Sequence, residues 1–197
     1  MNDEEARQRG HAYLQEAGTA VLQAAEDCLD DLVEAASIIA GAITDGGKLL
    51  ICGNGGSAAD SQHLAAEFVG TLDKRRPRGA LPALSLTTDA SILTAIGNDF
   101  GFEGVFERQV EALGRPGDVL IGITTSGDSE NIVRALARAR EGGLRTVVLT
   151  GRRPGRVGEH ADVQILVPAD DVGHIQEAHV AMEHALATLV ERALTDG

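Results

Sequence analysis

The chain has 197 residues, 43% of them apolar but only 3% aromatic, and this composition predicts one domain whose core is packed by Ala, Leu and Val. With 30 acidic and 17 basic residues the net charge is −13, so most of the surface repels phosphate backbones and anionic lipid. We therefore expect neither a nucleic-acid nor a membrane partner, although backbone N–H groups can still bind a small anion locally.

The two cysteines, Cys28 and Cys52, have no zinc-type spacing, and we expect both to be reduced and buried rather than joined in a disulfide. The residues after Met1 lack the basic start and the apolar stretch of a secretory signal. No apolar run reaches the length of a membrane span. These observations predict a cytoplasmic protein.

The first part of the chain is predicted to form two helices, because apolar residues recur at helical spacing over 3–43. The expected break between them lies near Gly18 or Asp27. A helical arm outside the alternating core needs a surface to pack on, and another copy of the chain is the simplest one. We therefore expect a single domain made of a helical arm used in oligomerisation, 1–46, and an α/β core, 47–197.

Five short strands rich in Val, Ile and Leu alternate with helices after the arm, which predicts a parallel sheet covered on both faces. Ligands of such sheets bind beyond the carboxyl ends of the strands, where loops run into helix N-termini. The predicted strands are 48–52, 83–87, 119–124, 146–149 and 163–167. The predicted helices of the core are 57–69, 90–113 (more than one helix), 129–141 and 174–194.

The loop after the first strand reads Gly53-Asn54-Gly55-Gly56-Ser57 and is rich in glycine. It lets the backbone approach a ligand, permits a positive φ at three positions and places Ser57 at a helix start. It lacks the lysine and spacing of a nucleoside-triphosphate loop, and it is not GxGxxG. We interpret it either as a ligand-binding loop or as a tight turn that binds nothing.

The loop after the third strand, Thr124-Thr125-Ser126-Gly127-Asp128-Ser129, places four hydroxyl groups within six residues at a helix start. Neutral donors and the positive end of a helix dipole can bind a phosphate monoester without a lysine. The alternative is that Ser126 or Ser129 only caps the helix. The number of hydroxyl groups favours phosphate binding.

His63 and Glu67 share one helix face and can contact one substrate or one metal ion, although such pairs are more often solvated. Polar side chains in an otherwise apolar helix are costly to pack unless they point at a site. The last helix carries four that we assign to a site: Gln176, His179, Glu183 and His184.

Three other polar features do not by themselves indicate a binding site. Glu177 and Glu191 are predicted to lie on an outer polar stripe of the last helix. The basic segment 73–78 is interpreted as a solvated loop rather than a binding patch. Asn98 and Asp99, between glycines, suggest either a turn placed for its side chains or an ordinary Asx-turn.

Four segments of the chain, GNGGSAADSQHLAAE, AIGNDFGFEGVFERQVEALGRPGDVLIGITTSGDSENI, VLTGR and HIQEAHVAMEH, resemble the sugar-isomerase (SIS) domain family, specifically its phosphoheptose isomerase branch. The resemblance covers nearly the whole chain. It implies a three-layer α/β/α sandwich with a five-stranded parallel sheet of flavodoxin-like type, and a homotetramer with sites at subunit interfaces. It also implies conversion of sedoheptulose 7-phosphate to D-glycero-D-manno-heptose 7-phosphate, the first step of ADP- or GDP-heptose biosynthesis.

The resemblance also implies one Zn²⁺ per subunit and an acid/base pair formed by Glu67 and His184. The implied substrate contacts are Asn54, Gly55, Gly56, Ser57, Glu67, Asn98, Asp99, Thr124, Thr125, Ser126, Ser129 and Gln176. The implied zinc ligands are His63, Glu67, Gln176 and His184. At Gly173 some members carry an acidic residue, for which Asp170 or Asp171 can substitute.

The residue types fit enediol chemistry, because a carboxylate and an imidazole suffice to move a proton between neighbouring carbons. A divalent ion bound to both would stabilise the enediolate oxygens, so Glu67 and His184 can act as bases, metal ligands or both. The alternative is a non-catalytic SIS adaptor that binds a replication initiator protein. That branch lacks the two side chains, whose presence here favours catalysis. A sugar-phosphate-sensing domain is the weakest interpretation.

Overall fold

The structure, a computed structural model that describes residues 1–196, contains one five-stranded sheet. All strands pair in parallel, in an order that reverses between the first and third strands as in flavodoxin-like folds. This arrangement confirms the predicted sheet. The strands are β1 (Leu49–Gly53), β2 (Ala83–Ser85), β3 (Val119–Ile123), β4 (Arg145–Thr150) and β5 (Val163–Leu166), in the order β2-β1-β3-β4-β5.

Seven α-helices surround this sheet, and their bounds lie close to the predicted ones. The loop after β4 forms a short 3₁₀-helix, Gly155–His160, and another covers Phe102–Gly104. The α-helices are α1 (Asp3–Asp27), α2 (Leu29–Thr44), α3 (Gly56–Val69), α4 (Ala90–Phe100), α5 (Glu107–Leu113), α6 (Glu130–Glu141) and α7 (Val172–Thr195).

Two hydrophobic clusters form the core, one on each face of the sheet, which produces the three layers. Leu49 and Ile51 of β1 face the cluster that contains residues of α2, α3 and α7. Leu50 and Cys52, the alternate residues, face the cluster that contains residues of α5 and α6. Successive side chains of a strand point to opposite faces, so a strand covered on both faces reads as one continuous apolar run.

Part of the helical arm packs on the core of its own chain. Residues 1–16 are exposed, whereas Ala17, Ala20 and Ala24 of α1 and five residues of α2 are buried. The break lies at Cys28, next to Asp27 and not at Gly18, and the Cys28 thiol donates to the carbonyl oxygen of Leu166 at 3.3 Å. Both cysteines are free and buried, which confirms the prediction.

The predicted turn at Asn98 and Asp99 is wrong. Both residues lie in the last turn of α4, which begins at its N-cap Asp89 and ends at Gly101, where φ is +85°. Glycine adopts this left-handed conformation without strain, so the helix ends there and not at the polar pair. No helix within residues 1–196 combines the length and the apolar character that crossing a bilayer requires.

Candidate active site

The glycine-rich loop connects β1 to α3 through a compact turn. Only Gly55 of its three glycines has a positive φ, +58°, so two of the three predicted positions do not use this freedom. Gly53 has no room for a side chain, because a Cβ there would overlap the backbone of Ser57. The loop therefore keeps its backbone close to the start of α3, with Asn54 partly exposed beside it.

The hydroxyl-rich loop brings three of its oxygens together between β3 and α6. Thr124 Oγ1 lies 3.4 Å from Ser126 Oγ and 3.2 Å from Ser129 Oγ. Ser126 Oγ also accepts a hydrogen bond from the backbone N–H of Asp128 at 3.2 Å. Ser129 occupies the N-cap position of α6, yet its side chain makes no capping hydrogen bond. The capping alternative is therefore not supported for Ser129, and its hydroxyl remains available to a ligand.

Thr125 and Ser126 also line a cavity of about 190 Å³ together with Arg152 and Asp170. Arg152 Nε lies 3.2 Å from both carboxylate oxygens of Asp170. Asp171 is the N-cap of α7, where its side chain accepts from the N–H groups of Gly173 and His174. Of the two aspartates considered as substitutes at Gly173, only Asp170 thus lines the cavity beside the hydroxyl-rich loop.

His63 and Glu67 of α3 meet His184 of α7. The two Nε2 atoms of His63 and His184 lie 2.7 Å apart, and His63 Nε2 lies 3.8 Å from Glu67 Oε1. One ligand atom from each of the three side chains falls within 4.8 Å of the others. The side chains of His63 and Glu67 are 40% and 19% exposed, so a small ligand can reach them.

Gln176 of α7 lies against the glycine-rich loop. Its side-chain amide lies directly over Gly56, where a Cβ would fall 2.5 Å from Nε2 of Gln176. Glycine at this position therefore lets the amide approach the start of α3. Because α7 packs against α3, Gln176 lies beside the glycine-rich loop and His184 lies beside His63.

Two of the four polar residues of α7 that we assigned to a site are buried and do not converge with His63, Glu67 and His184. His179 is fully buried, and its Nε2 lies 3.0 Å from the carbonyl oxygen of Thr150. Burial lowers the pKa of His179 to about 4. Glu183 is also fully buried, and its burial together with the charge of Asp60 raises its pKa to about 9. Neither side chain belongs to the group of converging ligand atoms.

Asn98 and Asp99 are exposed on α4, away from the packed part of the chain. Their side chains hydrogen-bond to each other, with 2.7 Å from Asn98 Nδ2 to Asp99 Oδ1. The structure gives neither side chain, within residues 1–196, a hydrogen bond to another candidate site residue. A single copy of the chain therefore does not bring this pair to the cluster of His63, Glu67 and His184.

One prediction about exposure is wrong, because Glu191 is buried rather than part of an outer stripe. Residues 74–77 of the basic segment are exposed as predicted, but the side chain of Arg78 is buried in an ion pair with Glu191. The sequence interpretation also missed Asn131, which is buried at the start of α6 and hydrogen-bonds to Asn54. The available signal in the sequence was a polar residue two positions after the hydroxyl-rich loop, directly before the apolar pair Ile132 and Val133.

The donor set of two imidazoles and one carboxylate suits zinc and similar divalent ions. Among the candidate substrate-binding residues, the structure brings the two loops and Gln176 to the carboxyl end of the sheet, where parallel α/β folds bind ligands.

Comparison with known proteins identifies relatives over most of the chain. A sequence model of the SIS domain matches residues 12–151. The phosphoheptose isomerase of Aquifex aeolicus is 55% identical over 166 residues, which cover 84% of this chain and 85% of that protein. The phosphoheptose isomerase of Akkermansia muciniphila is 53% identical over 85% of this chain and 87% of its own length.

Solved structures agree with this assignment. The phosphoheptose isomerase of Neisseria gonorrhoeae superposes with a TM-score of 0.88 at 42% identity, over 94% of this chain and 98% of that chain. The enzyme from Francisella tularensis gives a TM-score of 0.90 at 34% identity, over 95% and 98%. The chain therefore belongs to the SIS domain family and, within it, to the phosphoheptose isomerases.

Proposed function

We propose that this protein interconverts sedoheptulose 7-phosphate and D-glycero-D-manno-heptose 7-phosphate through an enediol. The observation that carries the proposal is the convergence of His63 and Glu67 of α3 with His184 of α7, although His63 and His184 are 121 residues apart in sequence. Relatives more than 50% identical carry the name phosphoheptose isomerase. The reaction moves a carbonyl between C2 and C1, which requires proton removal at one carbon and proton return at its neighbour.

The phosphate of the substrate binds at the hydroxyl-rich loop in this proposal. Thr124, Ser126 and Ser129 offer neutral donors around one point, and free N–H groups at the start of α6 add the positive end of its dipole. Thr125 extends the same surface toward Arg152. The glycine-rich loop, with Asn54 to Ser57, then lines the sugar, and its closeness to Gln176 supports that placement.

Glu67 and His184 form the acid/base pair. A carboxylate and an imidazole exchange protons readily near neutral pH, and each such transfer contributes typically ~10²- to 10⁴-fold to a rate. Their ligand atoms are close enough to face one small substrate, and both side chains are only partly buried. One of them removes the proton beside the carbonyl, and the other handles the proton of the neighbouring oxygen or carbon.

A divalent ion, Zn²⁺ at one per subunit, fits the same cluster. His63, Glu67 and His184 would hold it, with Gln176 as a further ligand, because imidazole and carboxylate donors match the preferences of zinc. When bound there, such an ion supplies Lewis-acid stabilisation of the enediolate oxygens. The amide of Gln176 is a weaker donor than the other three, so we expect moderate rather than tight binding.

We propose a homotetramer in which sites lie at subunit interfaces and the arm contributes contacts. Large apolar side chains are exposed on the arm, where Leu14 and Leu22 are each 70% exposed, and around α4, where Phe100 is 54% exposed. Within the described chain α4 has no buried residue, although most of its side chains are apolar. Packing against another copy would bury these side chains and bring Asn98 and Asp99 to a neighbouring site.

The decisive experiment incubates the purified protein with sedoheptulose 7-phosphate and follows formation of the aldose by NMR, with and without a chelator. We expect conversion by the wild type and a loss of several orders of magnitude in Glu67→Gln. The exposed residue Glu141 provides a matched control, because it ends α6 at the opposite edge of the sheet from the candidate site and Glu141→Gln removes the same charge. No aldose from the wild type would favour the adaptor alternative, whereas full conversion by Glu67→Gln would contradict the catalytic role of Glu67.

A further inference from the structure

Arg78 is buried although it belongs to an otherwise exposed basic segment. Its side chain is 5% exposed, whereas that of Arg75 in the same segment is 89% exposed. Arg75 pairs with Asp73, its neighbour in sequence, but Arg78 reaches across to α3 and α7. Arg76 pairs with Asp196, the C-cap of α7, at 3.1 Å. Arg78 differs from both of these arginines because it bonds to α3 as well as to α7.

The guanidinium of Arg78 binds the backbone at the end of α3. Nη2 donates to the carbonyl oxygen of Glu67 at 2.8 Å, and Nη1 donates to that of Phe68 at 2.8 Å. Nη1 also lies 3.2 Å from the carbonyl oxygen of Gly70. The last carbonyl groups of a helix have no partner within it, and a cation there also complements the helix dipole. Arg78 therefore caps the turn of α3 that carries Glu67.

The same guanidinium forms an ion pair with Glu191 of α7. Its Nε donates to Glu191 Oε1 at 2.8 Å, and its Nη2 lies 2.6 Å from that oxygen. The Glu191 side chain is 10% exposed, and the same Oε1 accepts from the N–H of Leu72 at 3.3 Å. Glu191 follows His184 by two helical turns, so both side chains lie on a similar face of α7.

We propose that Arg78 is a positioning residue that sets the distance between Glu67 on α3 and His184 on α7. One planar side chain contacts the backbone of Glu67 and the carboxylate of Glu191, and thereby joins the two helices that supply all converging ligand atoms. Lysine offers a point charge without this rigid fork and cannot make the same set of contacts. This inference rests on the proposed metal site and isomerase activity.

The test compares Arg78→Met, which keeps much of the side-chain length, with the matched control Arg75→Met. Zn²⁺ affinity is measured by competition with a chromophoric chelator, and kcat, KM and Tm are measured on the same samples. Residues that orient metal ligands typically change metal affinity or activity by about 10- to 100-fold. We expect a loss in this range for Arg78→Met in both Zn²⁺ affinity and kcat, little change in KM, and a partial recovery in Arg78→Lys. Arg75→Met should match the wild type.

Arg78→Met leaves the buried carboxylate of Glu191 without its partner and can therefore destabilise the fold. A second variant separates this loss of stability from a loss of positioning. The double variant Arg78→Met/Glu191→Gln removes that charge and should recover Tm without recovering Zn²⁺ affinity or kcat. Wild-type affinity and kcat in a double variant that is folded at the assay temperature would overturn the positioning role. If the wild type binds Zn²⁺ and isomerises the substrate, and the Arg78 variants do both equally well, only this inference is contradicted. A wild type that does neither contradicts the proposed function as well.

Discussion

The side-chain amides of Asn54 and Asn131 hydrogen-bond to each other in both directions, with 2.9 Å from each Nδ2 to the Oδ1 of the other. Asn54 belongs to the glycine-rich loop, and Asn131 is buried in the first turn of α6. The pair therefore links the loop proposed to line the sugar to the helix whose start is proposed to bind the phosphate. It also fixes the orientation of the Asn54 amide before substrate arrives.

Replacing Asn131 tests this link. Asn131→Ala removes both hydrogen bonds and should raise KM for the sugar phosphate about tenfold, because an Asn54 amide free to rotate binds with a larger entropic penalty. A loss of about 0.5 to 1.5 kcal/mol in unfolding free energy should accompany it, because the hydrogen bonds are lost but water can reach the partly exposed Asn54 amide. Steady-state kinetics and urea unfolding measure the two effects.

The control for Asn131→Ala is Asn2→Ala. Asn2 caps α1 by accepting from the N–H of Glu5, so its loss also lowers stability, by about 1 kcal/mol. Because Asn2 lies in the exposed first part of the arm, KM should stay at the wild-type value. An equal rise of KM in both variants would mean that general destabilisation, and not the amide pair, controls substrate binding.

Much of the fold follows from local patterns in the sequence. The runs at β1 and β3 are apolar at every position and buried on both faces, which is why their parallel arrangement was predictable. The convergence of hydroxyl groups in the hydroxyl-rich loop was also predictable, because the loop is short and lies between the end of a strand and the start of a helix. His63 and Glu67 share a helix face by spacing alone, whereas their meeting with His184 came only from the family resemblance.

The features that the sequence did not indicate depend on contacts between distant residues. Arg78 and Glu191 are separated by 113 positions, and nothing in the local pattern of either segment indicates that the two charges are buried together. Asn131 looks like an ordinary polar residue near a helix start. Asn98 and Asp99 have the side chains typical of turns, but α4 continues through them to Phe100 and is ended by Gly101 in the left-handed conformation.

Gly127 sets the shape of the hydroxyl-rich loop. Its φ is +74°, and a Cβ there would overlap the backbone of Pro154. Gly127→Ala should therefore lower the unfolding free energy by more than the ~1 kcal/mol of left-handed strain alone and raise KM for the sugar phosphate. Gly18→Ala, in the interior of α1 with open space at its Cβ, should instead raise stability by about 0.5 to 1 kcal/mol at unchanged KM. Thermal unfolding and kinetics on both variants distinguish the two effects.

The two cysteines should be unreactive in the folded protein. Burial raises the pKa of the Cys52 thiol to about 12, and burial with the nearby charges of Asp31 and Asp27 raises that of Cys28 to about 11. Thiolate is the reactive form, so almost none is present at mildly alkaline pH. A chromogenic disulfide reagent should therefore detect no thiol in the native protein and two after denaturation. Rapid labelling of one thiol under native conditions would show that its surroundings open readily.

His179 should make the protein sensitive to acid. Burial lowers its pKa in the folded state to about 4, whereas an unfolded histidine titrates near 6.5, so only the unfolded state gains a proton between these values. Stability is therefore lost as pH falls through this window, by about 2 to 3 kcal/mol from this residue between roughly pH 7 and pH 4.5.

His179→Gln keeps a donor for the carbonyl oxygen of Thr150 but does not titrate. Urea unfolding of both proteins in chelator should show a smaller acid loss in the variant. His174, whose pKa is raised by its hydrogen bond to Glu177, is present in both and cancels in the difference. Parallel losses in the two proteins would assign the acid sensitivity to other groups.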